Sequence, residues 1–188
     1  MSGLLSTFRH SPDRWLHPVR HARAIAAVRQ CAGGGVLVVC HGNICRSPFA
    51  AAVLRRALEA DGIEVASAGS VGPGRGVPAA AHACALERGE DLTAHRSQLL
   101  TRELLLAAGL VVVMDAAQRA VIVGRHGGEA ARVVLLGDLD PEPIAKRAIR
   151  DPYAQSPEVF AEVFARIERC ALVLARAYRS GLSRARAA

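Results

Sequence analysis

Residues 35–48 read Gly35-Val36-Leu37-Val38-Val39-Cys40-His41-Gly42-Asn43-Ile44-Cys45-Arg46-Ser47-Pro48. The first six are small, β-branched or apolar, a run that suits a strand buried on both faces and is too short for a helix. Ser47 and Pro48 then supply the residue types that open helices. Between them lies a tight strand-to-helix turn. Such a turn can aim successive backbone N–H groups at one point, where the helix N-terminus adds positive potential. Gly42 and Asn43 accept left-handed backbone angles, and the planar fork of Arg46 matches two oxygens of a phosphate. Cys40, at the carboxyl end of the strand, would lie beneath that cup, where the same donors favour a thiolate nucleophile.

The spacing Cys-x5-Arg is weak by itself. Lys146 is the only lysine, so 23 of the 24 basic residues are arginines; with five cysteines in 188 residues, roughly 0.6 chance matches are expected. Cys170 and Arg176 form one such match, but they fall in the last helix, where Cys170 continues an apolar stripe and reads as core. No Gly-x4-Gly-Lys-Ser/Thr string is present, so nucleotide hydrolysis is not supported.

Outward from this loop the chain alternates strands and helices. Helices are expected from Pro48 to near Gly62, Pro78 to Arg88, Ala116 to Val123 and Ser156-Pro157 to about Tyr178. Strands are expected at Ile63–Ala68, Leu110–Met114 and Val133–Leu136, and a proline-punctuated loop at Asp138–Pro152. This pattern predicts one α/β domain with a parallel sheet, its ligand site at the carboxyl ends of the strands. Residues 1–33 form an extension unlike the rest. In it Pro18 is expected to open a helix with Val19, Ala22, Ile25 and Ala26 on its apolar face, ending at Gly33. The domain is placed at 34–180 and a basic tail at 181–188.

Composition narrows the function. The 19.8 kDa chain is 51% hydrophobic, enough for one substantial core. The longest nearly unbroken apolar run, Leu104 to Met114, falls well short of the roughly 20 residues a bilayer requires. No leader peptide is legible, so a cytoplasmic location is expected and the cysteines should be reduced thiols. The net charge of +7 invites a nucleic-acid partner, but the arginines form no dense block and only 4% of residues are aromatic. Too few rings are available for bases to stack on, and no nucleic-acid partner is expected.

In these residues the chain resembles the bacterial type of low-molecular-weight protein tyrosine phosphatase. The likeness runs from Val39 to Pro48 and continues through Ser67-Ala68-Gly69, Thr93-Ala94-His95-Arg96-Ser97, Met114-Asp115 and Asp151-Pro152-Tyr153. It covers about residues 35–178 and implies a three-layer fold, a four-stranded parallel sheet flanked by helices with the phosphate-binding loop after the first strand. It implies that Cys40 is the nucleophile, that Arg46 binds the phosphoryl group and that Ser47 hydrogen-bonds the thiolate. Asp151 would be general acid and then base. Phosphate would be held by the backbone of His41, Gly42, Asn43, Ile44, Cys45 and Arg46, together with Ser47. Asn43, Ser67 and His95 would form a polar network supporting the loop. No cofactor or metal is implied, because the loop supplies the positive charge.

The substrate wall is expected from His41, Pro73 and Tyr153. It departs from the animal members, since Val71 and Pro73 follow where they carry a tryptophan, and Ala154 leaves one aromatic at 153. An arginine-phosphate phosphatase is the alternative, but there the resemblance implies Thr at position 44, not Ile44. An arsenate reductase on the same fold would need two further relay cysteines, and only Cys84 is a candidate. The implied partner is a phosphotyrosine protein, by family analogy a tyrosine autokinase of capsule or exopolysaccharide export. No membrane contact is expected, and the sequence assigns no oligomeric state. Cys45, five residues from Cys40 on a curled loop, is expected to trap oxidised Cys40 as a disulfide.

Overall fold

In the computed structural model, which describes residues 12–125 and 129–187, β1 (Gly35–Cys40) is buried from Val36 onward. It pairs in parallel with β2 (Val65–Gly69) on one side and β3 (Ala108–Val113) on the other, and β3 pairs with β4 (Val133–Leu135). The resulting order β2-β1-β3-β4 makes one four-stranded parallel sheet, as expected. Both faces are covered, so every β1 position is apolar. Val36, Val38 and Cys40 face the core built on α2 (Arg46–Leu58) and α6 (Pro157–Ala187), where Phe49 stacks on Phe164 with ring centroids 4.1 Å apart. Leu37 and Val39 face the opposite core under α4 (Arg102–Ala107) and α5 (Ala116–Arg125). α3 (Ala79–Leu86) completes the α6 side.

Several sequence expectations need correction. The sequence places no helix at 102–107, yet Thr101 caps one there, its hydroxyl accepting the Leu104 N–H at 3.3 Å. One apolar run, 104–114, hid a helix and a strand in succession. α2 opens at Arg46, two residues before Pro48. β4 ends at Leu135, and a buried 3-10 turn, Leu136–Leu139, takes the strand's expected last residue and the start of the expected loop. α6 does not stop near Tyr178: it runs on to Ala187, so the expected basic tail continues the helix, Ala188 lying outside the described residues.

The extension differs most. Its helix, α1 (Pro12–Gln30), begins six residues before Pro18 and carries that proline inside, where the Arg14 carbonyl loses its helical donor. Residues 1–11 lie outside the described residues. The buried side is His17, Ala24 and Val28, whereas Val19, Ala22 and Ala26 are exposed and Ile25 is half-buried. Polar anchors set this rotation. The His17 Nε2–H donates to the Asp140 carbonyl at 2.9 Å and the His21 Nδ1–H to the Asp138 carbonyl at 3.1 Å.

At its far end α1 crosses α6 at Gly181, where a β-carbon would collide with the Arg29 carbonyl. The link into β1 is held by Tyr178, a fully buried side chain. Its hydroxyl accepts the Gly33 N–H at 3.0 Å and donates to the Gly34 carbonyl. Among the described residues no helix is long and apolar enough to cross a membrane.

Candidate active site

Cys40 closes β1 at the centre of the sheet, its Cα in register with Gly69. The chain then curls through residues 41–45 and enters α2 at Arg46. Asn43 sits at φ 50°, in the left-handed region that its side-chain type tolerates; Gly42 does not adopt such an angle. The curl brings the Asn43 N–H to 3.3 Å from the Cys40 sulfur and the Ser47 hydroxyl to 3.0 Å. When the sulfur is ionised, Ser47 is the donor, so both bonds are donated to the sulfur.

Asn43 is the hub beneath the loop. Its amide NH2 donates to Ser47 Oγ and to Ser67 Oγ, each at 2.9 Å, and its Oδ1 accepts the Gln98 N–H at 2.9 Å. The His95 Nε2–H donates to the Asn43 carbonyl at 2.7 Å. Burial, only partly opposed by that bond, pushes the His95 imidazole below its ordinary value, so at neutral pH it is the uncharged Nε2–H tautomer. The expected trio of Asn43, Ser67 and His95 therefore does meet.

Two members of this network are absent from the sequence reading. Gln98 also donates through Nε2 to the Ser67 carbonyl at 2.8 Å. Gly69 passes so close under the loop that a β-carbon would lie 2.8 Å from the Asn43 nitrogen. Ser67-Ala68-Gly69 carried the second signal in plain view; Gln98, one residue past Ser97, had none.

Above the sulfur opens a cavity of ≈ 250 Å³, lined by Cys40, His41, Gly42, Ile44, Cys45, Arg46, Val71, Arg75, Asp151 and Tyr153. Arg46 is almost wholly buried. Its Nη1 donates to the Ile149 carbonyl at 3.1 Å, its Nη2 binds the Asp151 carboxylate, and its buried Nε–H has no acceptor among the described residues. The guanidinium is thus fixed at one edge and retains donors for an anion. Asp151 is about half exposed, and its Oδ1 accepts the Tyr153 N–H at 3.2 Å. That bond starts a tight turn completed by Ala154 at φ 56°. The Cys40 thiol and the Asp151 carboxylate thus share one cavity.

The wall is partly as expected. His41 and Tyr153 line it, but Pro73 does not: it is exposed, and the 70s loop turns Val71 and Arg75 inward instead. Ser97 fixes that turn, its hydroxyl accepting the Arg75 N–H at 2.9 Å and donating to the Gly72 carbonyl at 2.6 Å. Arg75, missed in the sequence, then spans the gap between loops, donating to the carbonyls of Gly42 (3.0 Å), Val71 (3.2 Å) and Gly72 (2.9 Å). Thr93, by contrast, turns away to His82 and Asp91.

Cys45 is buried just before α2. Burial first, then the neighbouring Cys40 and Asp151, push its thiol up to about 12. It is a protonated thiol at any physiological pH.

Comparison with known proteins agrees with this geometry. The family described as low molecular weight phosphotyrosine protein phosphatase matches residues 35–184. The chain is 41% identical over 136 residues to "Probable low molecular weight protein-tyrosine-phosphatase EpsP" of Ralstonia nicotianae, covering 71% of this chain and 88% of that one. Among solved structures it is similar to Vibrio vulnificus Wzb in complex with benzylphosphonate (33% identity, TM-score 0.67, 76% of this chain and 97% of that one). It is also similar to the YwlE arginine phosphatase of Geobacillus stearothermophilus (28% identity, TM-score 0.72, 80% and 96%).

Proposed function

Because this chain belongs to the low molecular weight phosphotyrosine protein phosphatase family, we propose that Cys40, Arg46 and Asp151 carry out its reaction, the hydrolysis of phosphotyrosine through a phosphocysteine. The observation that carries the assignment is the shared cavity, lined by Cys40, by Asp151 and by Arg46, which is bonded to the Asp151 carboxylate.

The chemistry follows from the positions. The phenyl ring enters between His41 and Tyr153, and the phosphoryl oxygens meet the loop from His41 to Arg46. The Cys40 sulfur attacks phosphorus and the P–O bond to the phenol breaks, with Asp151 giving its proton to the departing oxygen. Water, losing a proton to Asp151, then attacks phosphorus and returns the thiolate. Backbone N–H groups and Arg46 bind the equatorial oxygens most strongly when charge has developed on them, which lowers the barrier for both steps. The network of Asn43, Ser67, Gln98 and His95 is assigned to holding the loop in its attacking shape, and Ser47 to the thiolate. Ile44 supports phosphotyrosine over phosphoarginine, since its apolar branch at the cavity suits a flat phenyl ring better than a charged guanidine. The family resemblance further supports a bacterial tyrosine autokinase of capsule or exopolysaccharide export as the protein substrate, in the cytoplasm.

The test uses leaving groups. Asp151→Asn should slow turnover of phenyl phosphate and phosphotyrosine peptides by about 10²–10⁴. The loss should be much smaller with p-nitrophenyl phosphate, whose phenoxide departs unprotonated. Equal losses on both would remove Asp151 from the acid role, and faster turnover of phosphoarginine than of phosphotyrosine would overturn the specificity.

A further inference from the structure

The matched region begins at residue 35, so α1 belongs to this chain's extension rather than to the part shared with the family. It packs chiefly on α6, and the side chains of Asp13, His17 and His21 reach one further segment. Residues 138–151 form a strap running from the 3-10 turn after β4 to Asp151. The strap is closed on itself. Arg147 donates to both carboxylate oxygens of Asp138, at 2.7 and 2.6 Å, and its carbonyl presses on Gly137, where no β-carbon would fit.

α1 lies across that closure and holds it at three points. Asp13 accepts the backbone N–H of Arg147 at 3.1 Å, and His17 and His21 donate to the carbonyls of Asp140 and Asp138. Asp13 is itself steadied by Arg20 at 2.5 Å. Arg147 is four residues from Asp151. Between them, the Ile149 N–H donates to the Met114 carbonyl at 2.9 Å, and the Ile149 carbonyl receives Arg46.

We propose that α1 is a positioning element for the general acid, with Asp13, His17 and His21 fixing the strap that places Asp151 over the cavity. The proposal rests on the reading of Asp151 given above. A displacement of the strap moves the carboxyl relative to the departing oxygen, and of the phosphate-binding side chains it reaches Arg46 through the Ile149 carbonyl, while the Cys40 loop keeps its own support through Asn43 to Ser67, Gln98 and His95. Its kinetic signature is therefore specific: the cost falls chiefly on steps that need a proton delivered, and the backbone donors that bind the phosphoryl group are spared. Misplacement of a catalytic group by about 1 Å can cost up to about 10² in rate; a strap still held by Met114, Arg46 and α6 should move less.

In the full-length protein, Asp13→Ala should lower kcat for phenyl phosphate by about tenfold and leave kcat for p-nitrophenyl phosphate within about twofold, with KM little changed for both. Asp13→Asn keeps an oxygen that accepts the Arg147 N–H and should restore most of the lost rate. His17→Ala with His21→Ala is the independent second variant and should show the same split. Thermal unfolding of each variant is measured alongside. A fall in melting temperature with equal losses, or no loss, on the two substrates would make α1 a merely structural clasp and overturn the proposal. If Asp151→Asn itself shows no dependence on the leaving group, the acid assignment has failed instead, and the proposal with it.

Discussion

At the scale of single residues, two cysteines with the same distance to a following arginine make opposite predictions. Cys40 lies at the floor of a cavity with donors on its sulfur, whereas Cys170 is sealed in the α6 core, where burial above all pushes its thiol up to about 12. Cys40→Ser should reduce aryl-phosphate hydrolysis below detection while vanadate still binds; Cys170→Ser should keep nearly full activity. Cys45 invites a different experiment. We propose that, once peroxide has oxidised Cys40 to a sulfenic acid, the Cys45 thiol condenses with it to a disulfide and water. With its pKa near 12, Cys45 is ionised to about one part in 10⁵ at pH 7, and each pH unit raises that fraction about tenfold. The activity that a thiol reductant recovers after a fixed peroxide dose should therefore rise from pH 7 to 9 in the native protein. In Cys45→Ser it should stay low throughout; equal recovery in the two proteins would deny Cys45 any protective part.

At the scale of elements, legibility followed the range of the interactions. The strand-turn-helix around Cys40 is written in fourteen consecutive residues, and its Asn43 conformation was foreseeable from residue type alone. The rotation of α1 was not. Its most apolar side, Val19, Ala22 and Ala26, faces outward, because two histidines find carbonyls more than a hundred residues away. Arg75 and Gln98 were likewise invisible, since each acts on a partner brought near only by the sheet. The α1–α6 crossing offers a direct test of one such distant contact. Gly181→Ala puts a methyl group against the Arg29 carbonyl and should cost about 1–3 kcal/mol of stability, read as a lowered urea midpoint. A midpoint unchanged from the native protein would mean the two helices separate freely there.

For the whole molecule, the four-stranded parallel sheet and the assembly of the site could be anticipated, but the strand order and the polar framework behind the site could not. Its centre is Asp140, with no exposed surface, accepting from Arg169 at 2.8 and 3.1 Å and from Arg166 at 2.9 Å. Burial alone would raise this carboxyl, but the bonds from Arg169, Glu142 N–H and Arg166 outweigh it and hold it below the ordinary 3.8. A carboxyl depressed in the folded state stabilises fully above its unfolded value and loses that contribution as pH falls through the folded one. Stability should thus be insensitive to this group from pH 5 to 8 and decline below about 4, with Asp140→Asn showing a lower but flatter acid limb in urea titrations. Arg166 also holds the carbonyls of Lys146 and Ala148, at 2.8 and 3.1 Å. This grip has a consequence for biogenesis, because a growing chain presents Cys40 and its loop long before the last helix emerges. Nascent chains halted before α6 would lack the grip of Arg166 on the strap that ends at Asp151, so on the proposed assignment full catalytic competence should arrive only when synthesis is nearly complete.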